Sequence, residues 1–570
     1  MVRVEDGETR GAMGTGGQEG VAGTGTARNA SEVAGERVGV VVVGAGAVGL
    51  LLACELAGFG VDVVVVEMRG GVSGRPRATT LHARTVQCLA RRGYLDALAG
   101  EGAVWGVERT EEGAPFHFGG LPGLVVPAPE GEPAAVVKCV QADVERCLEK
   151  RARGVGVRVV RGHRVVGVRE GQRGVRVEAE GPQGVVRWEA GFVVGADGAR
   201  SAVRELAGFG SRVWPATVSA LAGDVRVEGG EAVPPGWHRT ERGWILARDV
   251  GDGVTRLRTL DCSGAHEARD VPVTVGELTE EVSRILGREI VLGGGRWLSR
   301  FSDFSRLADS YRNGRVLLAG DAAHVHFPIG GQGLSTGLLD ALSLGWRLAL
   351  TLRDRAGEGL LDGYGRERRP AGQRVIDHTR AQLALMRPEE GLDPLRAVIG
   401  ELLARGGAER SVLASMISGQ DTVLPARGPE SSPWEGRFVP NTVLETAEGR
   451  TDVITLLGQG RPLLLLFGER GTRYAARAQP WSDLVRVIRA EPVPELDSEA
   501  LLVRPDGYAG WAAGGGRLAD ALRDCFGEGT QNPEGTQNPE STQETETTRE
   551  TETTWGAVVA AGSSAARPTT

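Results

Sequence analysis

Cysteine is sparse in this chain and never closely paired. Six are scattered over 570 residues, at Cys54, Cys88, Cys139, Cys147, Cys262 and Cys525, with no Cys-x-x-Cys. That spacing excludes a disulfide-stapled scaffold and a dithiol redox motif, and it leads us to expect reduced thiols in the cytoplasm. Long apolar runs are missing too. No stretch approaches the roughly 18 uninterrupted apolar residues of a spanning helix, so no membrane partner is expected. The opening MVRVEDGETRGAMGTGGQEG is acidic and glycine-rich, without the apolar centre of a secretory signal. Positive charge is not in excess: a net charge of −8 gives no reason to expect nucleic acid or an anionic membrane. These absences leave a cytoplasmic globular protein, long enough for two or three domains.

Glycine, by contrast, is abundant, at 87 residues, and two stretches use it in a pattern. The first is VGVVVVGAGAVGLLLACELAGFGVDVVVVE. The β-branched run over 38–43 predicts a strand buried on both faces. Gly44-Ala45-Gly46-Ala47-Val48-Gly49 follows, then a helical pattern over 48–57 and a second strand over 61–67 that ends in Glu67. This is one βαβ unit. Its glycines allow a backbone to approach a pyrophosphate at a helix N-terminus, and an acid about 20 residues further on can accept hydrogen bonds from an adenosine ribose. Glu67 argues against a 2′-phosphate here, which leaves FAD or NAD rather than NADP at this site.

The second stretch is GDAAHVHFPIGGQGLSTGLLDALSLGW, residues 320–346. An aspartate and two histidines follow an apolar strand; a proline and then Gly330, Gly331 and Gly333 open a long helix. Residues without a Cβ suit a backbone that something must approach closely. Taken singly, these residues also have plainer readings. Asp321 reads as a helix cap, Asp197-Gly198 as a turn, and Arg75 and Arg77 as surface charges. His324 and His326 lack further ligands at metal-binding spacing, so no metal is expected.

Taken together and in order, the glycine turn, GADGARSAVR and LLAGDAAHVHFPIGGQGLSTG carry a resemblance. The sequence resembles the FAD-dependent group A aromatic hydroxylases, the relatives of para-hydroxybenzoate and phenol hydroxylase. It looks closest to the branch that oxidises polycyclic aromatic polyketides, and the likeness spans residues 38–526. It implies an α/β fold: a Rossmann-like FAD-binding domain, an antiparallel-sheet substrate domain and a C-terminal thioredoxin-like domain. The implied division is 37–210 for the first part of the FAD-binding domain, 211–305 for the substrate sheet, 306–425 for the return to the FAD-binding domain with its helices, and 426–527 for the thioredoxin-like domain. Composition marks 1–36 as a disordered leader. Residues 528–570, with their GTQNPE repeat, read as a disordered low-complexity tail.

The resemblance also implies roles. Gly44, Ala45, Gly46, Ala47, Val48 and Gly49 would face the FAD pyrophosphate, and Glu67 with Met68 the adenosine ribose. Arg75 and Arg77 would serve FAD and reduced nicotinamide, and Gln141 would bind the flavin. Asp197 would serve both FAD and NAD(P)H, and Asp321 would hydrogen-bond the ribityl chain. Pro328, Gly331, Gln332, Gly333 and Leu334 would pass beside the isoalloxazine, where the N–H groups of the helix N-terminus stabilise charge on reduced flavin. The substrate would lie between the flavin and the middle sheet. Trp237, Trp244 and Trp297 are candidates to line it, with core packing as the competing reading. No catalytic side chain is assigned.

Two positions depart from the family pattern: Ser335 and Ser343 stand where asparagine is usual, which puts the positioning of the ring in question. The C-terminal unit has only Cys525, so it reads as structural. The implied reaction uses NAD(P)H as a transient reductant, since no second dinucleotide motif is present. O2 captured as a flavin C4a-hydroperoxide would pass one oxygen atom to a polycyclic aromatic substrate. Baeyer–Villiger insertion, epoxidation and quinone reduction use the same fold and stay open, as does a non-enzymatic flavin- or aromatic-ligand-binding protein. The expected setting is antibiotic biosynthesis, by a monomer or homodimer.

Overall fold

The computed structural model describes residues 35–530, apart from 75–77, 107–109, 111, 229–232, 267–270 and 358. The leader through residue 34, the tail from 531, and Arg75 and Arg77 therefore lie outside the described residues.

Glu36–Val43 is the centre of the first sheet. It pairs in parallel with Val63–Glu67 on one side and with Gly184–Gly195 on the other; Arg158–Arg161 and Val316–Leu318 add further parallel strands outside these. Val40, Val41 and Val42 are fully buried, which is why the run is apolar without alternation. The helix Ala47–Gly58 packs against the long helix Gln332–Leu352 and against Gln141–Gly154. The second strand starts at Val63 rather than at the expected residue 61, because the Val61 N–H donates to Leu56 O and closes the end of the preceding helix.

The second sheet is antiparallel throughout, in the order Gly236–Thr240, Gly243–Asp249, Thr255–Asp261, Ser219–Glu228, Val291–Ser302. Its strands alternate, as a half-covered sheet requires. Leu221, Ile245 and Leu257 pack on one face against Leu278, Val282 and Ile285 of the helix Val275–Leu286. The other face carries Trp244, Leu260 and Phe301 toward Phe327 and Met386 of the first unit.

A third, six-stranded sheet runs in the order Gly449–Asp452, Val443–Thr446, Arg486–Ala490, Leu463–Phe467, Ala500–Val503, Ala509–Ala512. A buried ionic network ties it to the long helices. Glu367 accepts from Arg347 at 2.6 Å and from both terminal nitrogens of Arg504 at 2.8 and 2.9 Å. Arg504 also pairs with Asp506, whose carboxylate accepts the Trp346 indole N–H at 3.2 Å. Among the described residues, no helix is long and apolar enough to cross a membrane.

Candidate functional site: one cavity from the glycine turn to an aromatic wall

A cavity of about 440 Å³ opens where the first and second sheets meet. Eleven of the sequence-predicted residues line it: Gly46, Ala47, Val48, Gln141, Trp237, Trp244, Asp321, Pro328, Gly331, Gly333 and Leu334. Trp297, the third tryptophan considered, lines it as well.

The three glycines of the first turn do different things. A Cβ on Gly44 would stand 2.4 Å from Ala196 O at a backbone φ of +108°, and one on Gly49 would stand 2.0 Å from Gly44 O. Both are glycine because backbone packs against backbone. Gly46 has an ordinary extended backbone, φ −79° and ψ 174°, and its nearest neighbour to an added Cβ is Glu145 Oε1 at 3.9 Å. Neither strain nor a protein neighbour requires glycine there; the open space is the cavity itself. That division matches the one expected when the middle glycine admits a pyrophosphate.

Glu67 is not a lining residue. Its carboxylate accepts the Ala45 N–H at 2.8 Å and the Arg69 N–H at 2.9 Å, so it fixes the turn from behind. Met68 is exposed beside it. Gln141 Oε1 accepts the Ala78 N–H at 3.2 Å, and its Nε2 donates to Glu145 at 2.8 Å, which sets the amide at the cavity edge. Asp197 is flanked by the lining residues Ala196 and Gly198, but its own Oδ2 accepts the Val203 N–H at 3.1 Å at the start of the helix Ala202–Leu206. Desolvation raises the pKa of that carboxyl. Arg204 donates to Ala322 O at 3.0 Å and Ala199 O at 3.1 Å, clamping the GADGARS loop onto the GDAAH turn.

The GDAAH turn is held by fully buried Asp340. It accepts the Gly320 N–H at 3.0 Å, His324 Nε2 at 2.7 Å and Arg368 Nε at 2.8 Å. His324 is thus a positioning residue, while Asp321 is exposed toward the cavity. Gly330 and Gly331 both take left-handed φ values, +72° and +65°, which L side chains seldom adopt. This pair aims the N-terminus of Gln332–Leu352 at the cavity, with the unpaired N–H groups of its first turn. His326 also lines the cavity, and burial lowers its pKa.

The two serines have partners of their own. Ser335 Oγ accepts the His82 N–H at 3.0 Å, tying the helix start to the strand Thr80–His82. Ser343 Oγ accepts Arg347 at 2.6 Å, inside the ionic network. Ser335 and Gln332 border a smaller, separate cavity of about 160 Å³ behind the helix start.

His82 Nε2 donates to Gly330 O at 2.7 Å, and burial pushes its pKa down to about 4. The unfolded chain therefore binds more protons than the folded one between about pH 6.5 and pH 4. Stability should fall as pH drops through that window, by on the order of 3 kcal/mol for this group. His117, similarly pushed to about 4, acts in the same direction. Acid titration of the unfolding midpoint should show this slope, and His82→Gln should flatten it.

The far wall is aromatic. Trp237 and Trp244 meet edge to face with ring centroids 6.0 Å apart, and Trp244 Nε1 donates to Met386 O. Both tryptophans line the cavity; Trp244 is also a buried member of the core cluster there, and Trp237 packs against it. Sequence reasoning missed Arg258, Phe301, Phe327 and Met386. A signal for Arg258 existed: in TRLRTLD the arginines and Leu260 alternate with Leu257 and Thr259, which places Arg258 on the face of Leu260 and Trp244.

A glycine turn opening a helix from a parallel sheet is the arrangement of a dinucleotide-binding unit, and here its cavity continues past a second helix N-terminus to an aromatic wall. Comparison with known proteins gives the family: the FAD binding domain family matches residues 37–379, and the aromatic-ring hydroxylase C-terminal family matches 432–529. The chain belongs to the FAD-binding aromatic-ring hydroxylases. It is 38% identical over 492 residues to a dialkyldecalin synthase of Streptomyces rugosporus, covering 86% of this chain and 98% of that one. It is 36% identical over 515 residues to the 12-dehydrotetracycline 5-monooxygenase/anhydrotetracycline 6-monooxygenase of Streptomyces rimosus, covering 86% and 99%. Among solved structures, the OxyS anhydrotetracycline hydroxylase of Streptomyces rimosus superimposes with a TM-score of 0.78 at 34% identity, covering 87% of this chain and all of that one.

Proposed function

We propose that the protein is an FAD-dependent monooxygenase that uses NAD(P)H as a transient reductant and adds one oxygen atom from O2 to a polycyclic aromatic, polyketide-type substrate. The observation that carries this reading is the single cavity running from Gly46 to the Trp237–Trp244 wall, because it would bring a flavin and an aromatic ligand into one space.

FAD fits the residues present: Gly46 leaves room that a Cβ would take, and Gly331–Leu334 present a helix N-terminus. Bound there, FAD would supply the electron transfer and oxygen activation that side chains cannot. Gly46, Ala47 and Val48 would hold its pyrophosphate, with Gly44 and Gly49 shaping the turn and Glu67 bracing it beside the ribose. Gln141 and Asp321 would hydrogen-bond the flavin chain. Pro328, Gly331, Gly333 and Leu334 would border the ring, and the helix N-terminus would stabilise negative charge that develops on it. Asp340, His324 and Arg204 act by fixing the turns. The aromatic wall excludes water and orients the substrate ring.

The third sheet places parallel Leu463–Phe467 and Arg486–Ala490 beside antiparallel Ala500–Val503 and Ala509–Ala512, an arrangement that supports the thioredoxin-like reading. Burial pushes the Cys525 thiol up to about 11, which favours a structural role for it over a redox one.

A second reading comes from the relative named dialkyldecalin synthase: formation of a decalin ring system, rather than oxygen insertion, on the same scaffold. Oxygen-electrode and NAD(P)H-oxidation assays on the flavin-loaded protein, with a panel of polycyclic phenols, separate the two. The proposal expects aromatic substrate to accelerate both consumptions. Product formation with neither consumed would favour the synthase.

A further inference from the structure

The substrate-facing side of the antiparallel sheet carries an arginine with no partner. Arg258 lines the cavity, and among the described residues it makes no hydrogen bond or ion pair. Its neighbours show that this is not a general feature of the wall. Arg256, one pleat away, is neutralised by Asp224 through two contacts at 2.6 and 2.8 Å. Arg248, opposite Arg256 in the sheet, lies exposed at the rim. The charges acting on Arg258 are these two arginines, which repel it, and the already paired Asp224. The carboxylates that line the cavity, Glu145 and Asp321, belong to the nucleotide-side wall.

The row across the sheet shapes a niche. Arg258 pairs in register with Leu246 on one side and with Ala222 on the other, and Ala222 pairs with Ser299, so on that second side only a methyl and a hydroxymethyl stand beside the guanidinium. Rows on either side carry larger apolar groups: Trp244, Leu260 and Phe301 toward Met386, and Trp297 outward. A largely desolvated cation without a counter-ion is costly to keep, and an aromatic cavity gives it no compensation from the protein.

The geometry points to Arg258 as the residue that selects an anionic oxygen on the substrate: a carboxylate, or an ionised phenol or enol, attached to the polycyclic aromatic body that the tryptophans flank. The planar guanidinium offers two parallel N–H donors to such a group. Ser299 would supply a further hydroxyl donor. The cation would fix which edge of the ring system points away from the flavin side, and so which carbon meets the activated oxygen. This inference rests on reading the cavity as the substrate site.

Binding tests it without turnover. The flavin-loaded protein is titrated, in the absence of NAD(P)H, with anthraquinone β-carboxylate and with its methyl ester, followed by flavin absorbance and tryptophan quenching. A second pair, alizarin and its methyl ethers above the first alizarin ionisation, separates phenolate from carboxylate. At least one acidic probe is expected to bind about tenfold or more tighter than its neutral partner. Arg258→Met, which keeps an apolar stem, should abolish that preference while leaving the neutral probe and the flavin content unchanged. Arg258→Lys should restore part of it. Equal affinities within both pairs in the wild type would overturn the assignment, as would a Met variant that weakens acidic and neutral probes alike. In a separate turnover assay, a Met variant with slowed NAD(P)H oxidation but unchanged affinity for every probe would overturn it too, since it would assign Arg258 to the reductant. Failure of the monooxygenase reading looks different: the acid preference persists while no oxygen is consumed.

Discussion

Valine in place of Gly46 is expected to give a folded protein that no longer holds flavin. The backbone there is already extended, which valine favours, and an added Cβ meets no protein atom closer than 3.9 Å. The new methyl groups would instead enter the open space of the cavity, where the pyrophosphate is proposed to lie. The affinity of the apoprotein for added FAD should fall at least about tenfold, a loss of about 1.4 kcal/mol or more. Circular dichroism and the unfolding midpoint of the apoprotein should stay close to those of flavin-stripped wild type. Gly44→Ala is the contrasting case: its Cβ would overlap Ala196 O at a φ of +108°, so it should destabilise the fold itself. If Gly46→Val kept its yellow colour, the glycine turn would not be the cofactor cradle.

Removal of the Glu367 charge should produce the largest loss of stability. Glu367→Gln leaves Arg347 and Arg504, both buried, sharing no carboxylate between them beyond Asp506. Breaking a buried pair in this way typically costs about 3–5 kcal/mol. Burial pushes the Glu367 carboxyl up, but the two arginines outweigh it and hold the group down at about 2, against an ordinary value near 4.5. Its contribution is therefore complete above pH 4.5 and is lost as the pH falls toward 2. Denaturant unfolding at neutral pH should show the lowered midpoint, and limited proteolysis should show earlier release of the C-terminal sheet. A midpoint that does not change would mean that the network is not what fixes this sheet to the long helices.

The two glycine turns were legible because their chemistry is local. Residues 38–43 announce a doubly covered strand, and Gly44–Gly49 follows at fixed spacing. Local pattern does not reveal partners far along the chain. Ser335 reads as a departure beside a flavin, yet its hydroxyl is taken by the backbone of His82, separated from it by 253 positions. Glu67 reads as a ribose ligand, and its carboxylate also holds two turn amides. Asp340 drew no attention in the sequence, although it joins Gly320, His324 and Arg368. Arg258 stood in an alternating strand, but only the pairing of that strand with its neighbours shows that Asp224 is already taken by Arg256.

This cavity is expected to couple a flavin to an aromatic substrate and O2. That coupling is tested most directly by turnover under isotopically labelled dioxygen with NAD(P)H and a polycyclic phenol, followed by mass analysis of the product. One labelled oxygen atom per product molecule, with one NAD(P)H consumed, is the expected result. Product that forms without label while NAD(P)H and oxygen stay untouched would contradict the account and assign the cavity to a redox-neutral reaction.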